Sequence, residues 1–218
     1  MIKILNRRAF GHFALLGALL VGGALAMVRP AHAADETPDA FVKRISTDVL
    51  DTIKADKSIK AGDIGKIMQL VDTKIMPNVN FQRMTAAAVG PAWRTATPEQ
   101  QQKLEQEFEQ LLVRTYAGAL NQVSNQTVDI KPFRGSPTDS DVLVRTEITG
   151  GSGDPVQLDY RLEKSPGAAG GWKIYNINVL GVWLVDTYRT QFAQQINAKG
   201  IDGLIQVLAA RNKSNGSN

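Results

Sequence analysis

The chain has 218 residues, with 25 Lys and Arg against 21 Asp and Glu, a formal net charge of +4, two His and no Cys. Four of the basic residues (Lys3, Arg7, Arg8, Arg29) and both histidines (His12, His32) lie in the first 33 positions, which hold no acidic residue. The 185 residues that follow therefore carry 21 basic and 21 acidic groups, no imidazole and no thiol. Beyond position 33 this composition excludes disulfides, Ser-His-Asp and Cys-His catalysis, and zinc, haem or iron–sulfur sites built on His or Cys. The neutral balance also removes the basic excess that a nucleic-acid partner requires.

Residues 1–33 have the order of an export signal. Lys3, Arg7 and Arg8 precede an apolar run from about Ala9 to Val28, and the run leads to Ala31-His32-Ala33, an A-x-A cleavage site. We expect cleavage after Ala33. The Gly-rich run is marginal in length for a membrane span. Arg7-Arg8 also fits a twin-arginine signal, so the export route stays open.

Asp35–Asp39 is a polar, Pro-containing lead-in. Phe41, Ile45, Val49 and Ile53 then recur every four residues among Lys43, Arg44, Asp48 and Asp51, which predicts an amphipathic helix. A second helix presents Ile64, Ile67, Met68, Val71 and Ile75 and is stopped by Pro77. The stretch NVNFQRMTAAAVG predicts a turn and a short helix closed at Gly90-Pro91. At Thr97–Gln100 the sequence TPEQ supplies a cap, a proline suited to the first helical position and a glutamine that can complete a capping box. The long helix that follows carries one apolar stripe through Leu104, Phe108, Leu111, Leu112, Tyr116, Ala119, Leu120 and Val123. Glu105, Glu107 and Glu109 on it are expected to form a solvated face.

After Asn125 the period falls to two. Val128 and Ile130, then Val142, Val144, Thr146 and Ile148, then Val156, Leu158, Tyr160 and Leu162 alternate with polar neighbours, as in an antiparallel meander with one buried face. GWKIYNINVL is a fourth strand with apolar residues on both faces, which fits a central strand, a bulge or cover on both sides. GGSGDP at Gly150–Pro155 is a hairpin loop without the strand–loop–helix context of a phosphate cradle. Val185, Tyr188, Phe192 and Ile196 start a helix ended by Gly200. IDGLIQVLAARN is a short last helix. Asp186 and Arg189 are spaced for a local ion pair. Residues 34–125 are thus mainly helical, 126–180 form a sheet, 181–212 are C-terminal helices and 213–218 are a disordered tail. The fold class is α+β, with helices on one face of a curved antiparallel sheet of about four strands.

Four stretches together resemble the MlaC, or toluene-tolerance, family: IMPNVNF (Ile75–Phe81), WRTATPEQQQKLEQEFEQLLVRTYA (Trp93–Ala117), GGWKIYNINVLGVWLVDTYRTQF (Gly170–Phe192) and GIDGLIQVLAARN (Gly200–Asn212). The likeness covers nearly all of the chain after the signal. It implies a cone similar to nuclear transport factor, with an added helical subdomain and a lipid tunnel between sheet and helices. It also implies a periplasmic carrier of glycerophospholipids that maintains outer-membrane lipid asymmetry. The implied partners are an inner-membrane ABC transporter complex with its lipid-binding subunit and an outer-membrane lipoprotein–porin complex. No cofactor, metal or catalytic residue is implied beyond the bound phospholipid, and no nucleic acid. Trp183 departs from the resemblance, because many relatives have Ser there.

On this reading the candidate lipid contacts are Phe81 and Met84 before the long helix, and Phe108, Leu112 and Tyr116 on it. In the sheet they are Val144, Tyr160, Tyr175, Ile177 and Val179, and in the helix after it Tyr188 and Phe192. Arg94 is the candidate for the head-group mouth. The alternative function is a small-molecule isomerase or dehydratase on the same kind of cone, limited by this composition to Tyr and carboxylates.

Overall fold

Helix α1 (Pro38–Ala55) opens on a proline whose fixed φ suits a first helical turn and closes at Asp56, which accepts from Ser58 N and Ile59 N and so starts α2 (Lys57–Lys60). Asp63 caps α3 (Ile64–Leu70) in the same way, and a π-turn (Val71–Ile75) and a 3-10 turn (Met76–Asn78) follow. The structure is a computed structural model and describes residues 36–214 except 137 and 152. The export signal expected over residues 1–33 and the last four positions of the expected tail lie outside the described residues; Lys213 and Ser214 end the last helix.

Asn80 caps α4 (Phe81–Val89), Gly90 (φ 74) ends it, and a 3-10 turn runs from Gly90 to Thr95. Helix α5 (Pro98–Leu120) has the full capping box: Thr97 Oγ1 accepts from Gln100 N, and Gln100 Oε1 accepts from Thr97 N. Helix α6 (Leu184–Ser214) breaks at Gly200 (φ 70), so Leu204 and Leu208 of its second half join Tyr188 and Phe192 of its first half in the core. Arg189 donates to the Ala87 carbonyl on α4 at 2.8 Å, and no Asp186–Arg189 ion pair forms among the described residues.

The sheet is an antiparallel meander in the order β1 (Thr127–Ile130), β2 (Asp141–Thr149), β3 (Val156–Lys164), β4 (Trp172–Val179) and β5 (Val182–Trp183). The short fifth strand pairs only with the end of β4. Its left-handed turn places Leu180 (φ 51) and Gly181 (φ 87) at positive φ. Register puts Val144 opposite Tyr160, Tyr160 opposite Ile177, and Leu162 opposite Ile174. Ile174 and Ile177 are three apart yet share a face because the register shifts at Arg161/Leu162, leaving Tyr175 as an extra, bulged residue. The apolar residues on both sides of this strand are thereby explained. Outside the bulge, the Arg83 guanidinium stacks over Tyr175 at 3.6 Å and pairs with Glu163 and Asp141, fixing the start of α4 to the sheet.

Helices α4, α5 and α6 meet through four rings. Phe108 lies 5.7 Å from Phe81, 4.9 Å from Tyr188 and 5.2 Å from Phe192, and it is fully buried. A second apolar cluster, Ile53, Ile59, Ile67, Leu70, Val113, Ala117 and Val123, joins the ends of α1 and α5 to α2 and α3.

Because Phe108 touches all three partners, Phe108→Ala is expected to destabilise the fold by about 3–5 kcal/mol in urea denaturation. A loss below about 1 kcal/mol would show that the rings are not the anchor of the helical layer.

Candidate functional site

A cavity of about 450 Å³ is bordered by both apolar clusters. One wall is the inner sheet face: Ile148 of β2, Val156, Leu158 and Tyr160 of β3, and Ile174 and Ile177 of β4. The opposite wall is α1, through Ile45, Ser46, Val49, Leu50 and Ile53, which recur at helical spacing on one side. Ile75 of the π-turn and Val79 close one end. At the other end stand the last turn of α5 (Ala119, Leu120), Gln122, Val123, Gln126 and the β2–β3 loop (Gly151, Gly153, Asp154).

Gln122, Gly151, Gly153 and Asp154 are exposed, which identifies this end as the mouth. Its rim is tight. Gly150 has φ 86, and a Cβ there would sit 2.8 Å from the Asn125 carbonyl oxygen; a Cβ on Gly151 would sit 2.7 Å from Gln126 Nε2. Glycines let the β2–β3 loop close against the α5–β1 turn.

Inside, the lining is mostly aliphatic. Ser46 Oγ and Tyr160 OH lie 3.5 Å apart, and burial first of all pushes the Tyr160 hydroxyl above its ordinary value. Thr146 is fully buried beside them and donates to the Leu158 carbonyl at 2.7 Å. Among the described residues no Lys, Arg or His lines the cavity, and its one carboxylate is Asp154 at the mouth. Such a surface excludes water from an apolar ligand and supplies few hydrogen bonds to orient a polar one.

Of the residues expected from sequence, Tyr160 and Ile177 are in the cavity wall. Val179 is the next inward position after Ile177, opposite Leu158, outside the wall. Phe81, Phe108, Tyr188 and Phe192 form the closed ring cluster, with Met84 and Val144 buried in the same core and Leu112 packed on its edge. Tyr116 is 37% exposed on α5, and Tyr175 lies beneath Arg83 at the bulge. Arg94 is exposed on the 3-10 turn beside α4 and α6, away from the cavity lining. Trp183 is also outside the lining, with Arg161 stacked over it at 4.1 Å. Sequence reasoning missed most of the wall: the α1 stripe, Ile75 and Val79, Leu120 and Val123, the sheet positions Ile148, Val156, Leu158 and Ile174, and the glycine loop. The signal of the α1 stripe was present: Ile45, Val49 and Ile53 are evenly spaced, but an aliphatic stripe reads the same against a core as against a cavity.

The acidic residues of α5 also differ from expectation. Glu107 accepts from Asn212 Nδ2 at 2.7 Å, tying α6 to α5. Burial raises Glu105. Glu109 is pushed up to about 7, first by burial and then by its hydrogen bond with Asp72 and the repulsion between the two carboxyls. Its Oε1 is buried and accepts no donor, as suits a protonated acid.

A family model described as MlaC protein matches residues 43–210. The chain is 26% identical over 170 residues to toluene tolerance protein ttg2D of Pseudomonas putida, covering 78% of this chain and 77% of that protein. It is 24% identical over 173 residues to the intermembrane phospholipid transport system binding protein MlaC of Haemophilus influenzae, covering 79% and 80%. The solved structure of a phospholipid-binding protein from Ralstonia solanacearum, in complex with a phospholipid, is 50% identical. It superposes with a TM-score of 0.78 over 82% of this chain and 98% of that one.

The Glu109–Asp72 contact sets a pH dependence. The folded state keeps the Glu109 proton up to about pH 7, whereas the ordinary value is 4.5, so between these limits the folded state binds more protons. The Glu109 contribution to stability should be full below about pH 4.5 and be lost as pH rises through about 7. Thermal melts should show this fall, and Glu109→Gln should flatten it and raise the melting temperature at pH 8. An unchanged slope in Glu109→Gln would contradict the assignment.

Proposed function

The chain belongs to the MlaC family, and on that premise we propose that it is a periplasmic carrier that holds a glycerophospholipid by its acyl chains and moves it between membranes. The observation that carries the reading is the aliphatic cavity between sheet and α1, open at one end. The phospholipid held by the Ralstonia solanacearum relative and the transport description of the Haemophilus influenzae relative support it.

The physical requirement is simple. Each methylene removed from water gains about 0.8 kcal/mol, so two chains with on the order of thirty methylenes would cost roughly 20–25 kcal/mol to expose. Passage through water unaided is negligible at that cost. The aliphatic wall recovers part of this free energy with weak, undirected contacts, which suits a ligand that must also be released. The walls named above hold the chains, Tyr160 and Ile177 among them, and the head group stays at the mouth. The exchange partners are an inner-membrane ABC transporter complex with its lipid-binding subunit and an outer-membrane lipoprotein–porin complex, as the resemblance implies. The isomerase or dehydratase alternative finds no support in the relatives, which are described as binding and transport proteins.

Protein isolated without detergent should carry phospholipid in stoichiometric amount by native mass spectrometry. Val49→Trp, which projects a large ring into the middle of the cavity, should reduce bound lipid at least ten-fold while leaving circular dichroism unchanged. Retained lipid in a folded Val49→Trp protein would place the ligand elsewhere.

A further inference from the structure

The mouth of the cavity has one electrical sign. Asp154 stands exposed on the β2–β3 loop, one side of the opening. The last turn of α5 stands on the other side, at Ala119 and Leu120. A helix C-terminus carries about half a negative elementary charge. Helix α5 is 23 residues long and has no basic residue in its last turn, although Gln122 N and Val123 N donate to the Ala119 and Leu120 carbonyls at 3.3 and 3.1 Å and reduce that charge, which leaves Asp154 as the stronger source. The neighbouring Gln126 amide is engaged within its own turn: Nε2 donates to the Gln122 carbonyl at 3.0 Å, and Oε1 accepts from Ser124 N. Two independent sources of negative potential therefore face whatever protrudes from the cavity, and no cation lines it among the described residues.

We propose that this mouth selects glycerophospholipids whose head group carries an ammonium over those whose head group is net anionic, with Asp154 as the selecting side chain. The inference rests on the lipid-carrier reading and adds a preference to it. On that reading the acyl chains lie toward the end lined by Ile75 and Val79, so the head group emerges at the opposite, exposed end. A zwitterionic head group places its positive end in the negative field, whereas a net-anionic one is repelled by both sources. A unit charge about 4–6 Å away in bulk water changes such an equilibrium about three- to six-fold. The effect is screened by salt, since both sources are solvent-exposed.

The test uses the chain after the expected cleavage site, equilibrated at low salt with vesicles of equimolar phosphatidylethanolamine and phosphatidylglycerol with matched acyl chains. The protein is then separated and its bound lipids are quantified. The bound lipid should be enriched about three- to six-fold in phosphatidylethanolamine. Asp154→Asn should lower the enrichment, Asp154→Lys should reverse it, and about 0.5 M NaCl should flatten it in the unmodified chain. Bound lipid in the vesicle ratio, enrichment in phosphatidylglycerol, or a ratio unmoved by Asp154→Lys would overturn the selectivity and leave the carrier reading standing. Recovery of no phospholipid at all would overturn the carrier reading itself.

Discussion

The cavity depends on α1 and α5 each belonging to two apolar clusters at once. Helix α1 places Phe41, Val42 and Ile45 in the main core and Ile53 in the second cluster, and α5 divides in the same way between Phe108 and Ala117. Both helices are therefore held at two points along their length, and the cavity-lining residues of α1, Ser46, Val49 and Leu50, lie between its two points, so the space they face cannot collapse without breaking one cluster. The ring contacts around Phe108 secure one end, and α2 and α3, started by the caps at Asp56 and Asp63, secure the other. A continuous core would have closed over the sheet. Two separate cores leave a lined gap.

That gap has an energetic consequence. At about 24 cal/mol per Å³, a sealed and empty void of this size would cost about 11 kcal/mol. The whole stability of a domain is about 5–15 kcal/mol. The open mouth admits water, but water gains little against Val49, Leu50 and Leu158. An apolar occupant is the arrangement in which these walls are best satisfied. On this view ligand binding and folding are linked, and the filled state is the stable one. The negative mouth then acts only on the part of the ligand that the walls do not hold.

Much of the scaffold was legible in sequence because local chemistry specifies it. Thr97, Pro98 and Gln100 announce the start of α5, Gly90 and Gly200 mark breaks, and the change of period after Asn125 marks the sheet. The cavity was less legible. Large rings such as Phe108 and Phe192 read from sequence as ligand contacts, and the structure packs them against each other outside the cavity lining. A cavity is bounded by residues that stop short, here Val49, Leu50 and Leu158, and stopping short is a relation between distant elements. The Tyr175 bulge shows a middle case. Apolar residues on both faces of the strand allowed a bulge among three options, and only the pairing with β3 selects it. Glu109 is likewise indistinguishable from its solvated neighbours until packing brings Asp72 onto it.

The most direct measurement compares thermal or urea stability of the lipid-loaded protein with that of the same protein after lipid extraction, and again after lipid is restored. If the gap between the two clusters is a binding cavity, extraction lowers the midpoint, refilling restores it, and circular dichroism shows the same fold throughout. An unchanged or higher midpoint after extraction would contradict the linkage between the filled cavity and the fold.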